Sequence, residues 1–306
     1  MIKSDAVLGV IFALFAAVGF SAKAILIKLA YLEHVDPITL LALRMAFSLP
    51  FFVFAAFWVN RGNHMSLERQ DWIAVLLLGL AGYYLASFLD FLGLLYISAG
   101  LERLILFLYP TMTVILSAII FKRPLGRKII AAMALSYAGI VLVFFHDIGT
   151  SESNTAISRA DVILGSVLVF ASALSYSSYL VGAGHTISRI GATRFTAYAS
   201  IVASLACILQ FIVIHPLSAL KLPVQIYELS IAMAIFSTVL PVFLLSYAIH
   251  HIGSSRSSLI GSIGPVVTIY LAYLFLGEAV SLLQLSGTIL VLAGVLTISL
   301  SLDKLK

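Results

Sequence analysis

The two halves of this 306-residue chain carry the same pattern of residues about 155 positions apart. Shifting the stretch 96–144 forward by 155 superimposes its apolar runs, glycines and prolines on those of the second half, and near the start of each half the shift is 156. Matched pairs are Asp5 and Asp161, Ser21 and Ser177, Pro110 and Pro265, and Gly139 and Gly294. A repeat of this length dictates architecture, because each copy must form the same structural unit. We expect one unit at 1–147, a linker at 148–160 and a second unit at 161–306.

Composition predicts that both units lie in a membrane. Hydrophobic residues make up 62% of the chain and charged residues only 10%, with a mean hydropathy of +1.13. A soluble protein of this size needs more charge to cover its surface, and a helix of roughly 20 apolar residues crosses the hydrocarbon core. The pattern predicts an all-α polytopic membrane protein with ten transmembrane helices, arranged as two five-helix repeats. The predicted spans are 6–31, 37–59, 71–97, 101–121, 127–146, 161–183, 193–214, 227–250, 256–276 and 281–301.

Lysine and arginine are distributed unevenly between the loops of the two sides. The basic side holds Lys3, Arg61, Arg69, Lys122, Arg123, Arg127, Lys128, Arg189, Arg194, Arg256, Lys304 and Lys306, and the other side holds Arg103, Arg159 and Lys221. Basic loops remain in the cytoplasm, so we expect both termini to be cytoplasmic and the linker external, in the inner membrane of a cell. Because each repeat has an odd number of helices, the second enters the membrane from the opposite side. Such inverted repeats are typical of secondary transporters with a midplane site.

At several positions the chain resembles the drug/metabolite transporter superfamily, and within it the ten-helix EamA type. The residues that carry the resemblance are Gly9, Gly19-Phe-Ser21, Ala42-Leu-Arg44, Tyr96, Gly100, Tyr109-Pro110, Tyr247, Gly253, Gly264-Pro265, Gly277-Glu278, Gly287 and Gly294. The first half has Lys122-Arg123 in place of an echo of Gly277-Glu278, a departure that fits a cytoplasmic loop. The resemblance implies a solute carrier similar to bacterial exporters of amino acids and other metabolites, and leaves the solute open.

Three predicted spans carry a charged residue at about the same depth: Lys23, Arg44 and Asp90. Charges inside a bilayer cost about 2.5–3.5 kcal/mol on insertion scales and are functional candidates by default. In one interpretation Lys23 and Asp90 face a central cavity and bind the carboxylate and ammonium of an amphoteric solute. In the other, Asp90 pairs with Lys23 or Arg44 and joins the helices. For Arg44 the structural role is favoured, and the three charges sum to one excess cation.

Polar side chains on the third and sixth predicted helices form a second candidate group. Tyr83 and Ser87 lie at helical spacing before Asp90, and Tyr176 and Tyr179 lie on the sixth helix. The resemblance puts both helices around the cavity. These residues could line a site for an amphipathic or aromatic solute. Hydrogen bonding between helices is the competing interpretation for each of them.

A third group comprises residues with structural or gating roles. Glu102 and Arg103 are expected at the outer mouth, as an exposed pair at a helix start or as part of a gate. Proline breaks are expected in the fourth, eighth and ninth helices at Pro110, Pro241 and Pro265, and each could be a hinge or a fixed kink.

The predicted function is alternating-access transport of a small amphipathic, amino acid-like metabolite, with export favoured. The alternatives are uptake of a nucleotide- or nucleoside-type metabolite and, in another class, an intramembrane enzyme, although His-Glu-x-x-His is absent and Asp90 is the only carboxylate expected at membrane depth. We expect no cofactor, metal site or nucleic-acid partner. A monomer in contact with lipid is predicted, with protons as a possible coupling ion.

Overall fold

The computed structural model describes residues 2–61, 67–122, 124–151 and 158–303, and in these ranges the regular structure is helical. The helices are α1 (Ile2–Leu32), α2 (Pro37–Arg61), α3 (Arg69–Gly79), α4 (Ala86–Gly93), α5 (Ala99–Leu106), α6 (Tyr109–Ile120), α7 (Arg127–Ser151), α8 (Arg159–Ile190), α9 (Ala192–Ile214), α10 (Val224–Ala234), α11 (Leu240–Gly261), α12 (Gly264–Leu276) and α13 (Leu282–Asp303). The all-α membrane fold expected from the sequence is confirmed.

The repeat is visible in the irregularities of the helices. A π-helical turn at Leu80–Leu85 joins α3 to α4, and another at Ile235–Val239 joins α10 to α11, which is a shift of 155 residues. Two-residue breaks at 107–108 and 262–263 show the same shift. Since π turns are rare in helices, their recurrence at one offset indicates two copies of one structural unit.

The packing of α7 against α13 shows how the two copies are oriented. A Cβ atom on Gly139 would lie 2.5 Å from the carbonyl oxygen of Gly287, and one on Gly294 would lie 2.4 Å from that of Ala132. Between these contacts, Ser136 Oγ is 3.5 Å from the carbonyl oxygen of Val291, its own repeat equivalent. As the residue number rises along α7 it falls along α13, so equivalent helices run antiparallel about a two-fold axis. The repeats are inverted.

The remaining contacts divide the helices that surround the centre into two groups. In the first group, α8 packs against α3, α4, α5 and α6; in the second, α1 packs against α10, α11 and α12. Exchange of the two repeats converts one group into the other. Between the groups, α5 contacts both α1 and α12.

Among the residues that the structure describes, eight helical segments are long and apolar enough to cross a membrane, and the apolar stretches Gly264–Leu276 and Leu282–Ile298 are shorter. The count of ten spans is therefore not confirmed by length and composition. The predicted start of the ninth span at 256 is wrong, because α11 continues to Gly261 and the break follows at 262–263. The gap between the predicted spans 227–250 and 256–276 therefore lies within α11, where serine is tolerated because the helix is packed in a membrane protein.

The linker between the repeats is shorter than the predicted 148–160. Helix α7 continues to Ser151 and α8 begins at Arg159, where Ser158 caps it by accepting a hydrogen bond from the backbone N–H of Asp161. An N-cap serine with Asp161 three residues later starts a helix efficiently. Residues 152–157, Arg123, Lys304 and Lys306 lie outside the described residues.

Candidate functional site

Lys23 and Asp90 form an ion pair inside the bundle. Lys23 Nζ lies 2.6 Å from Asp90 Oδ2, and the side chains are 17% and 2% exposed. Asp90 is thus directed at a neighbouring helix and not at lipid. Pairing and burial explain how these charges are tolerated in the membrane, so of the two partners considered for Asp90 the structure selects Lys23.

Glu102 belongs to the same cluster, which corrects the expectation of an exposed pair at the outer mouth. Its side chain is completely buried, and Glu102 Oε1 lies 3.8 Å from Lys23 Nζ. No residue of α5 is exposed, and Leu101 and Leu104 beside Glu102 are buried, so the helix has no solvent-exposed face for a carboxylate. The expectation that Asp90 is the only carboxylate at membrane depth is wrong, because Glu102 is buried in the same cluster.

The two arginines lie on either side of this cluster. Arg44 Nε donates a hydrogen bond of 2.9 Å to Thr238 Oγ1, and its guanidinium carbon is 5.4 Å from the centre of the Phe91 ring. Arg103 points toward α12, where its Nη2 atom would be 2.7 Å from a Cβ atom on Gly264. Adjacent residues on a helix point in different directions, so Arg103 and Glu102 face different neighbours.

The charged cluster connects the two groups of helices. Lys23 belongs to α1 in the second group, whereas Asp90 and Glu102 belong to α4 and α5 in the first group. Arg103 on α5 contacts α12, so it too joins the first group to the second. Any movement of the two groups away from each other here must separate Lys23 from the carboxylates.

Tyr83, Tyr176 and Tyr179 also come together, in the first group. The hydroxyl oxygens of Tyr83 and Tyr179 are 3.2 Å apart. The rings of Tyr176 and Tyr179 stack at 5.6 Å, and Tyr109 meets Tyr176 edge-on at 5.4 Å. Ser87 is half-buried on α4, one turn before Asp90. These rings form a continuous aromatic surface between α6, α8 and the π turn.

Serines at repeat-equivalent positions hold the helix breaks. Ser21 Oγ shares its proton between the carbonyl oxygens of Ala17 at 2.7 Å and Gly264 at 3.0 Å, and Ser177 Oγ shares its proton between those of Ala173 and Tyr109 at the same two distances. In each break the helix restarts with proline as its second residue, Pro110 in α6 and Pro265 in α12. Proline suits the first turn of a helix because it has no N–H to leave unpaired.

Pro241 lies at the start of α11, directly after the second π turn, and contacts α1. A Cβ atom on Gly19 would lie 2.5 Å from Pro241 Cγ. The three prolines that the sequence identified therefore all lie where helix geometry changes.

Two charged groups at the helix ends were missed by sequence reasoning. Glu278, in the loop after α12, accepts a hydrogen bond of 3.0 Å from the backbone N–H of Ala99 at the start of α5. Burial raises the pKa of Glu278, while this hydrogen bond and the charge of Lys28 act in the opposite direction. Gly277-Glu278 had been noted only for its resemblance, and its distance from α5 in sequence gave no sign of the contact.

The second missed group is an ion-pair cluster at the other end of the first group. Arg189 near the end of α8 forms a two-point contact with Asp71 on α3, and its Nη1 atom lies 2.7 Å from Glu68 Oε1. Asp71 is 5% exposed. Bidentate pairs of this kind are the strong ones, so they hold the ends of α3 and α8 together.

Two cavities lie at the periphery of the site. One of about 230 Å³ is lined by apolar side chains of α5, α7 and α8, such as Ile105, Phe144 and Phe170. Another of about 550 Å³ lies between α6 and α8, lined by Leu116, Ser178 and their neighbours. Neither includes Lys23 or Asp90. In the described part of the chain, no cluster of three or more His, Cys, Asp or Glu side chains is arranged to hold a metal ion.

An all-α membrane fold of two inverted repeats, with a charged cluster between helix groups, defines a membrane transporter. The chain belongs to the EamA-like transporter family, whose model matches residues 7–145 and 163–300, one match in each repeat.

Known relatives agree with this assignment. The chain is 30% identical over 288 residues to the uncharacterized transporter YcbK of Bacillus subtilis (strain 168), with 92% of this chain and 90% of YcbK covered. It is 27% identical to the uncharacterized transporter YyaM of the same organism, covering 78% and 77% of the two chains. A protein of known crystal structure matches with a TM-score of 0.64 at 18% identity over 97% of this chain and 98% of that one, which shows the fold alone.

Proposed function

We propose that this transporter moves a small amphipathic, amino acid-like metabolite across the inner membrane by alternating access, with export as its direction. The observation that carries the proposal is the buried pair of Lys23 and Asp90 between the two groups of helices. A zwitterionic solute offers one carboxylate and one ammonium, the same two charges that the pair presents. Such a solute replaces the direct contact without leaving either charge unpaired, which avoids the high cost of an isolated buried charge.

The aromatic surface supports the amphipathic part of this proposal. Tyr83, Tyr176 and Tyr179 combine apolar rings with hydroxyl groups, the composition of pockets for small organic molecules. They belong to the group of helices that also carries Asp90. A solute held by its charges at the ion pair extends its side chain toward these rings.

A nucleoside-type solute taken up by the protein is the second candidate. The stacked rings of Tyr176 and Tyr179, 25° from parallel, favour it because a nucleobase stacks on tyrosine. The two candidates differ in the residues that they need. A nucleoside depends chiefly on the tyrosines, whereas a zwitterion depends on Lys23 and Asp90.

Transport in proteoliposomes tests the proposal. The purified wild-type protein is screened with radiolabelled amino acids and nucleosides, and the best solute is then measured with Lys23→Ala, Asp90→Asn and Tyr179→Phe. We expect Lys23→Ala and Asp90→Asn to reduce the initial rate at least tenfold, and Tyr179→Phe to weaken apparent affinity several-fold. Lys221→Ala and Glu228→Gln, at exposed positions, serve as controls.

The proposal is contradicted if Lys23→Ala and Asp90→Asn both transport the solute at the wild-type rate while remaining folded and inserted. The pair would then not belong to the solute site. The orientation with cytoplasmic termini and the monomeric state belong to the same proposal. Size-exclusion chromatography with light scattering measures the latter.

A further inference from the structure

Glu102 is the buried titratable group that the proposed solute site does not use. Its side chain has no exposed surface, and neither carboxylate oxygen accepts a hydrogen bond from a donor group. A buried ionised carboxylate without partners is far more costly than the neutral acid. Glu102 therefore needs either a cation of its own or a proton.

The cation closest to Glu102 is already engaged. Lys23 Nζ is 2.6 Å from Asp90 but 3.8 Å from Glu102, so one ammonium faces two carboxylates. Two carboxylates that share a site favour a proton on one of them. Asp90 makes the shorter contact with Lys23 and also interacts with the charge of Arg44, so Glu102 is the carboxylate to which we assign the proton.

The other elements packed around Glu102 do not supply a cation that could replace Lys23 as its partner. On α5 itself Arg103 is directed at Gly264 of α12, and Lys28 of α1 lies among Glu102, Glu278 and Asp147 and is shared with the latter two. Helix α8 contributes apolar Val162 and Val169 to this region. Gln284 of α13 lies against Gly100, two residues before Glu102, and carries no charge.

We propose that Glu102 is a proton-binding site whose occupancy is linked to contact between the two groups of helices. Glu102 carries a proton while Lys23 is paired with Asp90 and water is excluded. When the groups separate, water reaches the carboxyl and the proton leaves from its oxygen to solvent. Proton binding thus favours the closed contact and deprotonation favours its opening. This inference rests on the proposed function, because it makes the proton a coupling ion of that transport.

Infrared spectroscopy of the protein in lipid tests whether the proton is present, and it requires no solute. The carboxylic acid C=O band at neutral pH is compared between the wild type and Glu102→Gln, with exposed Glu228→Gln as the control. We expect the wild type and the control to show the band and Glu102→Gln to lose it. Absence of the band in the wild type, or its persistence unchanged in Glu102→Gln, would overturn the proposal.

Two further variants change the competition for Lys23 and keep the test decisive if Glu102→Gln does not fold. Asp90→Asn frees Lys23 to pair with Glu102, so the Glu102 band should disappear. Lys23→Met removes the competing ammonium, so the band should remain. The opposite pattern in this pair would show that Glu102 is not the protonated group.

Spin labels test the link to movement. Cysteines introduced at exposed Leu95, after α4, and exposed Val280, after α12, report the separation of the two groups in lipid. We expect the short-distance population to grow as pH falls in the wild type and to be pH-independent in Glu102→Gln. A pH response that is unchanged in Glu102→Gln would contradict the link between protonation of Glu102 and contact of the two helix groups. Solute flux that persists when the infrared band is absent would refute the proton site alone and leave the proposed transport standing.

Discussion

Lys23 and Asp90 show what a buried ion pair contributes to a membrane transporter. Removing two charges from water costs about as much as their attraction returns, so a buried pair is weak support for stability, whereas loss of one partner leaves an isolated charge. A functional requirement for the pair at 2.6 Å, as proposed above, is consistent with this balance of energies. If so, removing one charge of the pair should destabilise the protein more than removing both charges.

We predict that Lys23→Met destabilises the folded protein by about 3–5 kcal/mol, because Asp90 loses its cation. The double variant Lys23→Met/Asp90→Asn should recover at least half of this loss, since no unpaired charge remains. Thermal and denaturant unfolding of the detergent-purified protein measures both. Lys221→Met, at an exposed position, should change stability by less than about 0.5 kcal/mol. Equal destabilisation of the single and double variants would contradict this account of the pair.

Glu278 gives a prediction that depends on pH. Burial raises the pKa of Glu278 above the ordinary value of about 4.3, so the folded protein binds this proton more tightly than the unfolded chain. The stability that this bound proton contributes is therefore fully present below pH 4 and is lost as pH rises through the raised pKa of Glu278. Glutamine keeps an oxygen for the Ala99 N–H and has no charge. The melting temperature of Glu278→Gln should match the wild type near pH 4 and exceed it toward neutral pH.

A melting-temperature difference that stays constant over this pH range would show that Glu278 does not titrate as described. Gln284→Glu would not serve as a control, because Gln284 is itself buried against α5. Exposed Glu228→Gln is suitable, and its melting temperature should follow the wild type at every pH.

Some of these residues could be predicted from the sequence and others could not. A charge inside an apolar run is visible without a structure, so Lys23 and Asp90 were identified as candidates. Glu102 was placed at an outer mouth because it lies near the start of a predicted span. Its burial depends on packing of α5 against α1, α8 and α12, and no local pattern encodes these long-range contacts.

At the level of helices, the repeat accounts for positions that propensity does not. Proline predicts the breaks before Pro110 and Pro265, since proline disrupts a helix interior. The matching Ser21 and Ser177 then provide donors for carbonyls at those breaks. The π turns gave no sequence signal, because they depend on tertiary contacts such as that of Ser175 Oγ with the Ala81 carbonyl at 2.8 Å.

The contact of α7 with α13 yields a prediction about close packing. On Gly294 a Cβ atom would lie 2.1 Å from Ser136 Oγ and 2.4 Å from the Ala132 carbonyl oxygen, so the two helices would have to move apart. We expect Gly294→Ala to destabilise the protein by about 1–3 kcal/mol, the usual cost of overpacking. Thermal unfolding of the purified protein gives the difference.

The matched control is Gly184→Ala on α8, where a Cβ atom would meet nothing within 4 Å. Alanine there should stabilise the helix by up to about 1 kcal/mol, because glycine is a poor helix former. If Gly294→Ala were as stable as Gly184→Ala, the close approach of α7 and α13 would be refuted.

For the whole molecule, inversion of the repeats joins geometry to transport. Antiparallel equivalent helices make the two ends of the bundle alike, so a movement that closes one end has a symmetric counterpart that closes the other. The sequence predicted this inversion from an odd number of spans and from the distribution of Lys and Arg. It could not supply the contact between α5 and α12, by which the two helix groups meet at one end in this structure.

Labelling of introduced cysteines tests the inversion and the orientation together. The native Cys207 is 1% exposed and provides a silent background. Exposed Ala160 and Lys221 lie at the predicted external ends of α8 and before α10, and exposed Gln70 and Thr193 lie at the predicted cytoplasmic ends of α3 and α9. With a membrane-impermeant thiol reagent on intact cells, Ala160→Cys and Lys221→Cys should react, and Gln70→Cys and Thr193→Cys should react only after permeabilisation.

A fully reversed pattern would overturn the cytoplasmic termini but preserve the inversion. Reaction of Gln70→Cys and Lys221→Cys from the same side would overturn the inversion, because Gln70 lies at the start of α3 and Lys221 lies just before the equivalent helix α10.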